Sequence, residues 1–253
     1  MEEPSKFAIH EAARDGRTLV VESLLNANPK LVDRKDDDER LPIHWATSYN
    51  HLDIAILLSA GKNFDPDVQD GSGWTPLMIA VSLKDGEELV KLFLRKGADV
   101  NAKTAKYYLL SSPHVLLSFL TKTHPQTALH FTASKNNLDV ARTLLDSKPP
   151  ASVRVKDKRG VYPIHRAAAV GSVPMVELFI KHRSPLNASD DAGQTPLHHA
   201  VAEGHGDTAV ALLKAGAETD KKDSDGLTAL ELAPDAQVKK YIVQSAEREG
   251  IEL

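Results

Sequence analysis

Along this chain, short apolar clusters come in pairs. The first member of each pair has a constant layout: FAIHEAA (7–13), LPIHWAT (41–47), TPLMIAV (75–81), TALHFTA (127–133), YPIHRAA (162–168), TPLHHAV (195–201) and TALELAP (228–234). A second apolar pattern follows, as in VVESLLN, DIAILLS, LVKLFLRKGADVN, DVARTLLD, MVELFIK and DTAVALLKAGAETD. Each pair therefore reads as helix, tight turn, helix and loop. The fourth residue of the first stretches falls at 10, 44, 78, 130, 165, 198 and 231, so successive units are spaced by 34, 34, 52, 35, 33 and 33 residues. A helix pair of this size buries its apolar side only against the next copy, so the spacing predicts an all-α solenoid forming one domain over 1–253. Seven repeats are expected near 4–35, 36–69, 70–104, 125–157, 158–190, 191–223 and 224–253. An insertion at about 105–124, between repeats three and four, accounts for the long step. Although apolar for a loop, it is expected to protrude or to be poorly ordered, and to leave the flanking repeats stacked. A retained intron is the alternative.

The period and the T-P-L-H-x-A layout resemble the ankyrin repeat, whose unit is a β-turn finger followed by two antiparallel helices. The local chemistry agrees. In Thr195-Pro196-Leu197-His198 the threonine hydroxyl can cap the helix, and proline at its first position gives up no needed donor. Leu197 faces the core, and the imidazole in the first turn can hydrogen-bond backbone or hydroxyl groups and tie neighbouring repeats. Gly16, Gly171 and Gly204 fall where a left-handed residue closes the first helix. Met78 and Glu231 replace the histidine in repeats three and seven. After Pro234, apolar Val238, Tyr241 and Ile242 at helical spacing predict a C-terminal capping helix.

Composition narrows the chemistry. With 31 basic and 35 acidic residues, a net charge of −4 leaves no footprint for a nucleic acid or an anionic membrane, so protein partners are expected. There is no cysteine, which removes disulfides, thiolate metal sites and cysteine nucleophiles. The acidic start and the lack of an apolar run near ~20 residues predict a soluble intracellular chain. No nucleophile elbow, H-E-x-x-H or phosphate loop occurs. Five histidines at one repeated position (His10, His44, His130, His165, His198) imply a framework role. Adjacent His198 and His199 point about 100° apart on a helix and do not chelate one ion. His205 reads as a helix-start or stacking residue, or else a partner contact. The run Asp36–Glu39 reads as a solvated finger tip or a protein contact. No enzyme, metal or cofactor is expected.

Individual repeats carry a narrower resemblance. DDDERLPIHWATS, DGSGWTPLMIAVS, SVRVKDKRGVYPIHRAAAVGS and PLHHAVAEGHGDTAVALL resemble the gankyrin family of proteasome regulatory-particle assembly chaperones, the fungal members above all. The resemblance implies a non-enzymatic scaffold that binds the C-terminal domain of a proteasomal AAA ATPase subunit on its concave face. It leaves a generic ankyrin adaptor as the alternative. A monomer, cytoplasmic and nuclear, is expected. Carried onto this chain, the concave face comprises Asp37, Asp38, Arg40, Tyr49, Asp70, Ser72 and Trp74, then Lys135, Lys158, Arg159, Arg166, Gln194 and Glu203. An acidic first half with Arg40 embedded gives way to basic Lys135, Lys158 and Arg159, so a partner of complementary pattern is expected. Trp74 on a finger reads as an apolar anchor, with packing on the finger of Trp45 as the alternative.

Overall fold

A computed structural model describes residues 6–104 and 125–253; the expected insertion at 105–124, with its two readings, lies outside the described residues. The chain divides into two compact units, 1–128 and 129–253. In the first, three helix pairs follow one another: α1 (Ala8–Arg14) with α2 (Thr18–Ala27), α3 (Pro42–Ser48) with α4 (Leu52–Leu58), and α5 (Pro76–Ser82) with α6 (Glu87–Arg95). The second holds α7 (Ala128–Ser134, all but its first residue) with α8 (Leu138–Leu145), α9 (Pro163–Val170) with α10 (Val173–Lys181), and α11 (Pro196–Ala202) with α12 (Gly206–Lys214). A 3-10 turn over Ala229–Leu232 and α13 (Ala236–Arg248) complete it. Among the described residues, no helix is long and apolar enough to cross a membrane.

The repeated sequence explains the repeated geometry. Proline opens α3, α5, α9 and α11 at a position whose N–H has no helical partner, and the Thr75 hydroxyl accepts the Met78 N–H at 3.3 Å. First helices are thin because alanines face their neighbours: Ala12, Ala13, Ala46, Ala80, Ala133, Ala167, Ala168 and Ala200 are all buried. They stack side by side, α1 on α3 on α5 in the first unit and α9 on α11 in the second. Second helices supply the bulk, with Ile54, Leu58, Leu89, Phe93, Leu144, Met175 and Phe179 among the largest buried side chains. Each such side chain stabilises the fold by about 1.5–3 kcal/mol. At the C-terminus α13 buries Ile242 and Ala246. Its Tyr241 ring covers Gly206, where a Cβ would lie 2.6 Å from the ring, and the hydroxyl donates to Asp207.

Between pairs, each finger is a tight hairpin with a backbone bond across its base, Asp36 N–H to Arg40 O, Asp70 to Trp74, Asp157 to Val161, Asp190 to Gln194 and Asp223 to Leu227 at 2.8–3.0 Å, and a second from the fourth residue's N–H to the aspartate carbonyl. The fourth finger residue has a left-handed backbone, supplied by Gly73, Gly160, Gly193 and Gly226. In the second repeat Glu39 stands there, with φ 57°. A left-handed non-glycine residue is strained by about 1–2 kcal/mol, part of which glycine returns through its freer unfolded chain. Glu39→Gly is therefore expected to stabilise the protein by about 0.5–1 kcal/mol; an unchanged or lower urea midpoint would count against this strain.

Candidate protein-binding face

The framework histidines tie each first helix to the loop after its helix pair: His10, His44 and His165 within their own repeat, His130 and His198 to the finger of the next. In α3 the Leu41 N–H donates to His44 Nδ1 at 3.0 Å. A backbone N–H can only donate, so the ring proton sits on Nε2, which donates to Val68 O at 3.1 Å. His165 repeats this, accepting from Tyr162 N–H and donating to Ala188 O, and His198 does so between Thr195 and Leu227 O. His10 reaches Arg34 O and His130 reaches Val161 O. His10 Nδ1 is buried without a partner among the described residues, because its N-cap Phe7 lacks the extended backbone of Leu41, Tyr162 and Thr195. Burial lowers the pKa of His44, His165 and His198. For His165 the value falls to about 4, burial leading and the neighbouring His199 ring adding to it. Glu231 takes over the cap in repeat seven, accepting from Thr228 N–H and Oγ1–H.

At the turn between the two helices a second set of histidines does related work. His51 and His205 bond back to Arg14 O and Ala169 O of the preceding repeat, at 2.9 and 3.1 Å. Their rings lie over Gly16 and Gly171, where a Cβ would come within 2.7 and 2.5 Å. His205 thus stands at the start of α12 with its ring stacked on the repeat before it.

The fingers are organised by aspartates. Asp36, Asp70, Asp157, Asp190 and Asp223 each accept, on Oδ1, the N–H groups two and four residues later at 2.8–3.0 Å. Short side chains that bond their own backbone in this way stabilise turns. Oδ2 is left to meet a side chain. Asp36 receives Trp45 Nε1–H at 2.7 Å, Asp157 receives Arg166 at 3.4 Å, and Asp190 receives His199 Nε2 at 2.9 Å. Asp70 pairs with Arg40 Nε at 3.5 Å, and Asp223 faces Gln194 Nε2 at 3.5 Å. Although burial raises the Asp190 carboxyl, hydrogen bonds from His199, Gln194 and Ala192 outweigh it and hold its pKa below the ordinary value. From sequence, Asp70 is expected on the face and Asp36 falls in the run that reads as a finger tip or protein contact. The signal is an aspartate eight residues before the histidine-column position in five of the seven repeats, at 36, 70, 157, 190 and 223.

Within the first unit, Arg40 and Tyr49 pack on Trp45, and Asp70 joins them through Arg40. The Arg40 guanidinium lies 4.5 Å from the Trp45 ring centroid and donates to Ser48 Oγ at 2.9 Å. Tyr49, 54% exposed, stacks on Trp45 at 6.3 Å and on His51 at 6.5 Å. Asp70 has both oxygens engaged inside the fold, with Ser72 and Trp74 N–H bound to it. The Trp74 ring is half-buried on the finger. Asp37 and Asp38 are exposed at the tip of the preceding finger, Asp37 meeting Lys6 at 3.3 Å and Asp38 O accepting Gly71 N–H.

In the second unit, Lys135, Lys158, Arg159 and Glu203 are exposed. Lys135 follows α7, Lys158 and Arg159 form a finger tip, and Glu203 caps α11. Arg166 and Gln194 are half-buried and held by Asp157 and Asp223. Arg159 O accepts Asp191 N–H from the next finger at 2.8 Å. Each unit therefore presents fingers and first helices on one side, polar at the tips and anchored beneath by buried carboxylates.

Stacked helix pairs, hydrogen-bonded fingers and histidine ties define an ankyrin-repeat protein. A family model described as ankyrin repeats matches residues 9–104, 129–223 and 164–239. A Saccharomyces cerevisiae protein named probable 26S proteasome regulatory subunit p28 is 37% identical over 246 residues, covering 95% of this chain and 99% of its own. An ankyrin repeat-containing protein of Schizosaccharomyces pombe is 38% identical over 233 residues, 92% of each chain. The crystal structure of the human ASB11 ankyrin repeat domain superposes with a TM-score of 0.75 at 20% identity, over 94% of this chain and 96% of that domain; it shares the fold. The chain belongs to the gankyrin family of ankyrin-repeat proteins.

Proposed function

We propose that the protein is a non-enzymatic scaffold that assists assembly of the proteasome regulatory-particle base by binding the C-terminal domain of one AAA ATPase subunit. The observation that carries this reading is similarity along almost the whole length of both chains to a protein named a 26S proteasome regulatory subunit. The geometry supports it: finger tips and first helices of the first unit offer aromatic surface beside charges of both signs, and those of the second offer exposed charges of both signs, as protein interfaces do. Fold by itself carries no partner. A monomer working in the cytoplasm and nucleus is part of the same proposal.

Affinity purification from the native cell, read by mass spectrometry, tests the partner: base ATPases are expected to co-purify. Their absence beside some other protein favours the adaptor alternative. The face is tested by calorimetry against the recovered ATPase domain. Trp74→Ala is expected to weaken binding more than about tenfold, since buried aromatic anchors often exceed ~2 kcal/mol on truncation. Arg40→Glu is expected to weaken it more at low salt than at high. Melting temperatures measured alongside separate lost contact from lost fold. Unchanged affinity in both folded variants would remove this face from the proposal.

A further inference from the structure

We propose that Asp36, Asp157 and Asp190 are positioning residues for docking. Each keeps one carboxylate oxygen on its own finger and uses the other to hold the side chain nine residues later, Trp45, Arg166 or His199, in the orientation a partner meets. This inference rests on the binding face proposed above.

Three features carry it. The division of labour repeats: Oδ1 accepts two backbone N–H groups at 2.8–3.0 Å, while Oδ2 takes Trp45, Arg166 or His199 at 2.7, 3.4 and 2.9 Å. A turn needs only the first oxygen. The held groups differ in kind, being an indole, a guanidinium and an imidazole, so the carboxylate is the constant and the docking chemistry the variable. Burial differs in the same sense: the Asp157 and Asp190 side chains are 0% and 4% exposed, whereas Arg166 and His199 are 32% and 22% exposed. The carboxylate sits inside and its partner at the surface. Trp45, besides its bond to Asp36, is in contact with Arg40 and Tyr49, so its orientation bears on two further side chains. Side chains already ordered lose less freedom on binding, which strengthens a complex without adding a contact.

The Asp36–Trp45 pair allows a test in which a structural role and a positioning role part. Asp36→Asn retains an oxygen for the finger N–H groups but turns an NH2 toward Trp45 Nε1–H, donor against donor. In the full chain labelled with nitrogen-15, the Trp45 indole N–H resonance is expected to move and to exchange faster with solvent, while the Trp74 indole signal stays. Recombinant C-terminal domains of each base ATPase serve as probes for affinity. Against the domain that binds the wild type, Asp36→Asn is expected to be about threefold to tenfold weaker. In a Trp45→Phe background, which has no Nε1–H to hold, the same substitution is expected to cost nothing further. An equal loss in both backgrounds means that Asp36 acts through the finger alone and overturns the proposal, as does an unmoved indole signal. Unchanged affinity of folded Asp36→Asn overturns the positioning role while leaving the binding face intact. A wild-type chain that binds none of the domains overturns the functional reading and the docking role with it.

Discussion

Replacing Asp157 by alanine is expected to lower stability by about 3 kcal/mol, among the largest losses for any polar side chain in the protein. Its carboxylate is fully buried and accepts N–H groups of Arg159 and Val161 at 2.8 and 3.0 Å. Truncation leaves those donors unpaired, about 1–3 kcal/mol for each that water cannot reach. It also strands the Arg166 guanidinium, but that group is 32% exposed and turns to solvent, so the full penalty of a broken buried pair does not apply. At roughly 2–4 °C per kcal/mol for a chain of this size, melting falls by about 10 °C. Asp157→Asn keeps the acceptor for the finger and should lose much less. Asp223→Ala removes the corresponding, solvent-accessible finger carboxylate and should lose least, since water replaces it. If the three variants melt together, the finger carboxylates do not stabilise the fold in proportion to their burial.

Stability is also expected to fall as pH drops from 6.5 toward 4, before most carboxylates titrate. Folded His165 resists the proton down to about 4, because burial penalises the charge and the neighbouring His199 ring adds to it; the unfolded imidazole takes it near 6.5. Throughout that window the unfolded state binds more protons, so the stability present above pH 6.5 is lost as pH falls. For His165 alone the difference corresponds to roughly 3 kcal/mol. His44 and His198, also lowered by burial, steepen the slope. His165→Gln should be less stable at pH 7, having lost its two ties, yet lose less on acidification. Urea midpoints at pH 7 and 4.5 for wild type and variant decide it: parallel losses would mean that His165 is protonated in the folded protein.

Much of the architecture follows from residues within a helical turn of one another. Proline at the first helical position, threonine before it and apolar residues at helical spacing specify each helix pair. Within each unit the 33- to 35-residue period makes one pair the partner of the next. From that alone came the all-α repeat fold, the framework role of the five histidines and the capping helix after Pro234. The exposed tip charges Asp37, Asp38, Lys158 and Arg159 lie where the pattern put them.

What only the tertiary structure decided is which of several chemically equal residues goes inside. Asp36, Asp37 and Asp38 are adjacent and identical in kind, yet only Asp36 turns inward to Trp45, because the finger hairpin points that one position at the first helix. Asp70 likewise reads as a tip charge in sequence and becomes the internal partner of Arg40. The lowered pKa of His165 and the close approach of His205 to Gly171 depend on a neighbouring repeat arriving against them. Local sequence governs backbone conformation through contacts a few residues apart. The side-chain bonds that set the face join residues from 8 to 36 positions apart, and the longest of them exist only once the repeats have stacked.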